Sequence, residues 1–159
     1  MTTVTASAER RALTFDNLRE SVEDVERLAS GEVRTTGNHT FGQILNHLAL
    51  SIDVATGRVD PPPPPFFMKL MMPLMKRMVI NDKPLKAGMK LPEEGEAFFW
   101  PDKEFEDSAA VQYYKEAVEY FNTTGPLEKH PYFGKLTKGQ IEQLECRHAA
   151  LHLSFVQPA

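Results

Sequence analysis

The chain has 159 residues, of which 22 are acidic and 18 basic, giving a formal charge of −4, and it contains a single cysteine, Cys146. This length suits one domain spanning residues 1–159 with a substantial core, and the lone thiol excludes an internal disulfide framework and is at home in a reducing compartment. The acidic balance leaves no surplus for neutralising phosphates, which argues against a nucleic-acid partner. The N-terminal MTTVTASAERRALTF lacks the apolar core of a secretory signal, so the cytoplasm is the expected location.

A first helix is predicted from about Ala8 to Ala29, where Leu18, Val22, Val25 and Ala29 recur at spacings of three and four and Gly31 follows as a stop. A second opens at TFGQ. There Thr40 and Gln43 have the spacing at which hydroxyl and amide each satisfy an orphan backbone N–H, and the helix runs to about Thr56 before Gly57.

About fifty residues then separate the second helix from the third, too many for a tight hairpin and enough to traverse a bundle. PPPPP in this stretch reads as a stiff polyproline spacer rather than a docking motif. FFMKLMMPLMKRMVI, residues 66–80, is interrupted by Lys69, Pro73, Lys76 and Arg77 and is too short to span a bilayer. Its methionines suit closing the bundle or a homodimer contact, and its few basic charges speak against a membrane surface.

The third helix, about Asp107 to Asn122, aligns Val111, Tyr114, Val118 and Phe121. Thr137 and Gln140 open the fourth with a second capping box, and its stripe is Ile141, Leu144, His148, Leu151, His152 and Phe155. No strand pattern of useful length competes. The expected fold is all-α, with a long crossover between helices two and three.

His148 and His152 lie four apart on one helix face and can converge on one metal ion. In the second helix His47 sits at the margin of the apolar stripe, available as a third ligand. Spacing alone leaves two readings, a metal site or three imidazoles satisfied by hydrogen bonds in a crowded interior. Glu145, three before His148, shares its side of the helix and suits orienting an imidazole, a fourth ligand, a catalytic base or a solvated rim position. Cys146 points about 140° from the midpoint of the pair, away from any metal. His130 suits a turn that docks Tyr132 and Phe133, and His39 a loop role before the second helix.

GNHTFGQILNHLALSID and HPYFGKLTKGQIEQLECRHAALHLSFV resemble the DinB-like (YfiT-like) superfamily of metalloenzymes, in a largely uncharacterised branch. The resemblance implies a four-helix bundle in up-down-down-up order and one divalent metal ion per chain, held by His47, His148 and His152. Some relatives are low-molecular-weight-thiol S-transferases, which implies a small-molecule substrate and a thiol partner. Three neutral imidazoles leave coordination positions open, a property of reactive sites. Thiol transfer therefore leads, metal-dependent hydrolysis follows, and a metal-binding protein without turnover is the opposing class. Zinc or nickel suits the ligands best, with iron or manganese also compatible.

Overall fold

The computed structural model describes residues 9–88 and 90–159. It is mainly helical: α1 (Leu18–Ala29), α2 (Phe41–Thr56), α3 (Phe66–Val79), α4 (Glu93–Phe99), α5 (Asp107–Thr123) and α6 (Lys138–Leu153). The short strands β1 (Val33–Thr35) and β4 (Val156–Pro158) pair antiparallel, as do β2 (Lys129–His130) and β3 (Gly134–Lys135). Such short pairings lack the length over which alternation becomes legible in sequence.

The first helix begins at Leu18, well after the expected start, whose residue Ala8 lies outside the described residues. Asn17 caps it, its side chain accepting from the Glu20 N–H at 3.1 Å. The preceding segment is drawn elsewhere by Arg11. The Arg11 guanidinium forks onto both carboxylate oxygens of Asp24 at 2.9 and 2.8 Å and donates to the Val156 carbonyl at 2.6 Å, while the Arg11 backbone N–H bonds Ser154 O. Burial alone would raise the Asp24 carboxyl, but Arg11 and Arg27 hold it below its ordinary value.

Both predicted capping boxes form, Thr40 with Gln43 and Thr137 with Gln140, and set where α2 and α6 begin. Gly57 ends α2 in the left-handed conformation, with φ of 81°. The third and fourth expected helices correspond to α5 and α6 within a residue or two.

Helix α2 packs against α5 and α6, and α1 packs against the same two. Gly42 lets α2 approach the segment that leads into α5, since a Cβ there would stand 2.2 Å from the Phe105 carbonyl oxygen. Further along, the Tyr113 hydroxyl donates to Asp53 Oδ2 at 2.9 Å, so α2 and α5 run in the same direction. Ser51 meets Glu145 and His47 meets His148, which sets α6 antiparallel to α2. Leu18, Leu45, Ile52, Tyr114, Phe121 and Ile141 are fully buried between these helices. The buried Tyr114 hydroxyl bonds Ser21 Oγ at 2.6 Å, and Ser21 in turn donates to Leu18 O, so neither polar group is stranded in the core.

The crossover contains α3 and α4. Their placement differs, because only Val79 of α3 is buried whereas α4 delivers Phe99 and Trp100 to the face where α2 meets α6.

Candidate metal centre

The early turns of α2 and the late turns of α6 lie side by side because the helices are antiparallel, and this brings one histidine of α2 to two of α6. One ring nitrogen from each of His47, His148 and His152 can be chosen so that all lie within 4.8 Å of one another. The shortest separation, 2.9 Å, joins His47 Nε2 and His148 Nε2. His47 is 5% exposed, and the other two are half-buried.

The outer nitrogens determine what the inner ones present. His47 Nδ1 lies 3.0 Å from the Phe99 carbonyl oxygen, which can only accept, so the proton sits on Nδ1 and the Nε2 lone pair faces inward. The Glu145 carboxylate stands 3.5 Å from His148 Nδ1 and favours the same tautomer there. Two lone pairs at 2.9 Å repel unless a cation or a proton lies between them. Neutral imidazole nitrogens with outer partners are the donor set of a borderline divalent metal, and the residues fit one.

Burial depresses the pKa of His47 well below its ordinary value, and the nearby His148 depresses it further; the Phe99 hydrogen bond offsets only part of this. His152 is depressed for the same reasons, burial first, then the neighbouring histidines. Both rings therefore remain neutral and able to ligate near neutral pH.

Glu145 is 3% exposed, which removes the solvated-rim alternative. Ser51 Oγ lies 3.0 and 3.1 Å from its two oxygens. The carboxylate is thus set between the Ser51 hydroxyl and the His148 imidazole.

A family model described as "Protein of unknown function (DUF1569)" matches residues 7–159. The chain belongs to this family. No curated protein and no solved structure matches it. The family description names no activity, so the chemistry available to this member rests on its own geometry.

Sequence reasoning missed the aromatic side of the site. Trp100 stacks between His39 and His47, its ring 3.8 Å from one centroid and 3.7 Å from the other, with interplanar angles of 11° on both faces. It also meets His152 edge-on. This gives His39, expected in a loop role, a place behind the tryptophan and separated by it from His47. The run AFFWP, dense in aromatics within a polar stretch, was the available signal.

His130 and Cys146 stand outside the three-histidine group. His130 Nδ1 accepts from the backbone N–H groups of Tyr132 and Phe133, as expected for a turn, and burial lowers its pKa. Cys146 is buried in the core, and burial, followed by nearby carboxylates, pushes its thiol up to about 12. It is a packing residue.

Proposed function

We propose that this chain is a DinB-like metalloenzyme in which His47, His148 and His152 hold one divalent ion and a low-molecular-weight thiol is transferred to an electrophilic small molecule. The observation that carries the metal reading is the pair of opposed Nε2 lone pairs at 2.9 Å, each oriented by an outer partner. Zinc or nickel suits three imidazoles best, ahead of iron or manganese.

The packing supports the up-down-down-up bundle that this reading requires. Helices α2 and α5 are parallel, α6 is antiparallel to α2, and the strands that follow α1 and α6 pair with each other, so those two helices finish at the same end. The resemblance in the two histidine-bearing blocks supports the same assignment.

A metal held by three neutral imidazoles supplies a Lewis acid with open positions, able to ionise a thiol or a water molecule. Around it, Glu145 orients His148, and the Phe99 carbonyl orients His47. Trp100 shields one face of His47 from water. Glu145, already engaged by Ser51 and His148, is poorly placed to take a proton from an attacking water. A thiol, whose own pKa lies far below that of water, depends less on such a base. Because Cys146 is buried and its thiol raised, the reacting sulfur comes from the substrate. The thiol proton passes to solvent water and a carbon–sulfur bond forms on the electrophile. With an alkyl halide the carbon–halogen bond breaks and halide leaves with its electron pair; with an epoxide the ring carbon–oxygen bond breaks and the freed oxygen takes a proton from water.

The test is metal analysis of protein purified without a histidine tag, joined to an activity screen of the metal-loaded protein. Small thiols with alkyl-halide or epoxide acceptors are compared with ester and amide hydrolysis. Metal-dependent adduct formation with equal thiol consumption is expected. Thiol-independent hydrolysis would replace the transferase reading, and metal-loaded protein inert in every assay would favour a metal-binding role without turnover.

A further inference from the structure

Helix α3 contributes almost nothing to the core, yet it carries all but one of the exposed large hydrophobic side chains among the described residues. Phe66, Phe67, Leu70, Met71, Leu74 and Met78 are 49–77% exposed, and among the described residues the only other exposed large hydrophobic side chain is Leu127, at 40%. At 100° per residue these six fall within an arc of about 140°, while Met68, Met72, Met75 and Val79 occupy the opposite face, which is turned toward the protein. The helix is therefore apolar on two sides, and only one is covered.

Helix α3 is also fastened in place. Lys76 Nζ donates to the Lys135 carbonyl at 2.7 Å, and the Arg147 guanidinium donates to the carbonyls of Val79 and Lys83. Tyr132 holds the preceding proline run through Pro62 O. The outer face is thus presented by a fixed element.

Charge identifies what covers it. Residues 61–92 carry Lys69, Lys76, Arg77, Lys83, Lys86 and Lys90 against Asp82 alone, leaving the remainder of the chain with 21 of the 22 acidic residues and 12 of the 18 basic ones. Apart from Lys76, these cations are exposed, and among the described residues none makes a salt bridge. Within 66–80 alone the basic residues are few; the segment that follows doubles them. An apolar arc with Arg77 inside one margin, Lys69 beyond that margin and Lys83, Lys86 and Lys90 after the helix, on a protein that is otherwise acidic, complements a surface that is apolar beneath and negative above. A two-fold contact through α3 would instead bring the same cations of two copies together.

We propose that α3 lies on an anionic lipid bilayer, with Phe66, Phe67, Leu70, Met71, Leu74 and Met78 entering the interface and Lys69, Arg77, Lys83, Lys86 and Lys90 contacting lipid headgroups. No described helix is long and apolar enough to cross a membrane, so the contact is peripheral. This inference is independent of the metal centre.

The full chain is tested by flotation with vesicles of phosphatidylcholine alone and of phosphatidylcholine with about one third phosphatidylglycerol. Wild type is expected to float with the anionic vesicles, to stay behind with the neutral ones, and to be released by salt near about 0.5 M. Leu70→Glu with Leu74→Glu should abolish flotation without loss of helicity. Lys69→Gln with Lys83→Gln and Lys86→Gln should weaken it by at least about tenfold. Absence of binding to anionic vesicles, or binding that the leucine variant retains, overturns the proposal. A wild-type dimer in sedimentation that the leucine variant converts to monomer, with no vesicle binding by either, assigns the face to a second copy.

Discussion

His47 and His148 aim their Nε2 atoms at each other across 2.9 Å, while their Nδ1 atoms face the Phe99 carbonyl and the Glu145 carboxylate. Outer acceptors on both rings turn both lone pairs inward. The arrangement is stable when a proton or a metal ion lies between the rings.

With the metal bound, wild type should carry about one divalent ion per chain, and His148→Ala or His152→Ala should lose most of it. Trp100 is the sole tryptophan and stacks on the His47 ring, so its emission should change on metal titration. That change should vanish in His47→Ala. Equal metal content in wild type and all three alanine variants, measured by elemental analysis, would remove the site.

Stability should fall in acid by a route that the metal reinforces. Burial and neighbouring imidazoles depress the folded pKa values of His47 and His152, so the native state favours their neutral forms. Their contribution is fully present above the unfolded value, near about 6.5, and is lost as pH falls from there through the depressed folded values. Ligation requires the same neutral rings and lowers those values further. A chelator should therefore lower the melting temperature near neutral pH and matter less toward acid pH, and the increment should shrink in His47→Ala. Melting curves with and without chelator at several pH values provide the measurement.

Glu145→Gln keeps the side-chain volume but removes the buried charge. Its metal affinity should fall by about 10- to 100-fold in chelator competition, and Ser51→Ala should fall in the same direction. The metal-free Glu145→Gln protein should melt no lower than metal-free wild type, since a buried carboxylate has lost its desolvation cost. A purely structural role for Glu145 would lower the metal-free melting temperature and leave affinity unchanged.

Cys146→Ser should keep its full metal content and any activity, because the side chain packs in the core away from the three rings. Placing a hydroxyl there should cost about 1–2 kcal/mol of stability, read from denaturant unfolding. With its thiol pushed up to about 12, native Cys146 should resist alkylation until the protein unfolds.

The features legible in the sequence were those written within one helix. The Thr40–Gln43 and Thr137–Gln140 boxes announced two helix starts because each is closed by atoms three residues apart. The shared face of His148 and His152 follows from helical periodicity alone, and the same angle turned Cys146 away. The start of α1 was misplaced because Arg11 is held by Asp24 and by the carbonyls of Leu153 and Val156, partners that helical periodicity does not encode.

Sequence by itself determined α2, α5 and α6 and the body of α1, though neither the start of α1 nor α3 and α4 in the crossover, together with the two-histidine face and a third histidine at the edge of an apolar stripe. Only the tertiary structure decided that His47 would meet that pair, since this depends on α2 and α6 packing antiparallel across about a hundred residues of chain. It also buried Glu145 beside Ser51, brought the Phe99 carbonyl and Trp100 from the crossover onto His47, and left the outer face of α3 uncovered. Periodicity tells which residues share a face; what that face meets is set by the packing of segments distant in the chain, for which the local pattern carries no signal.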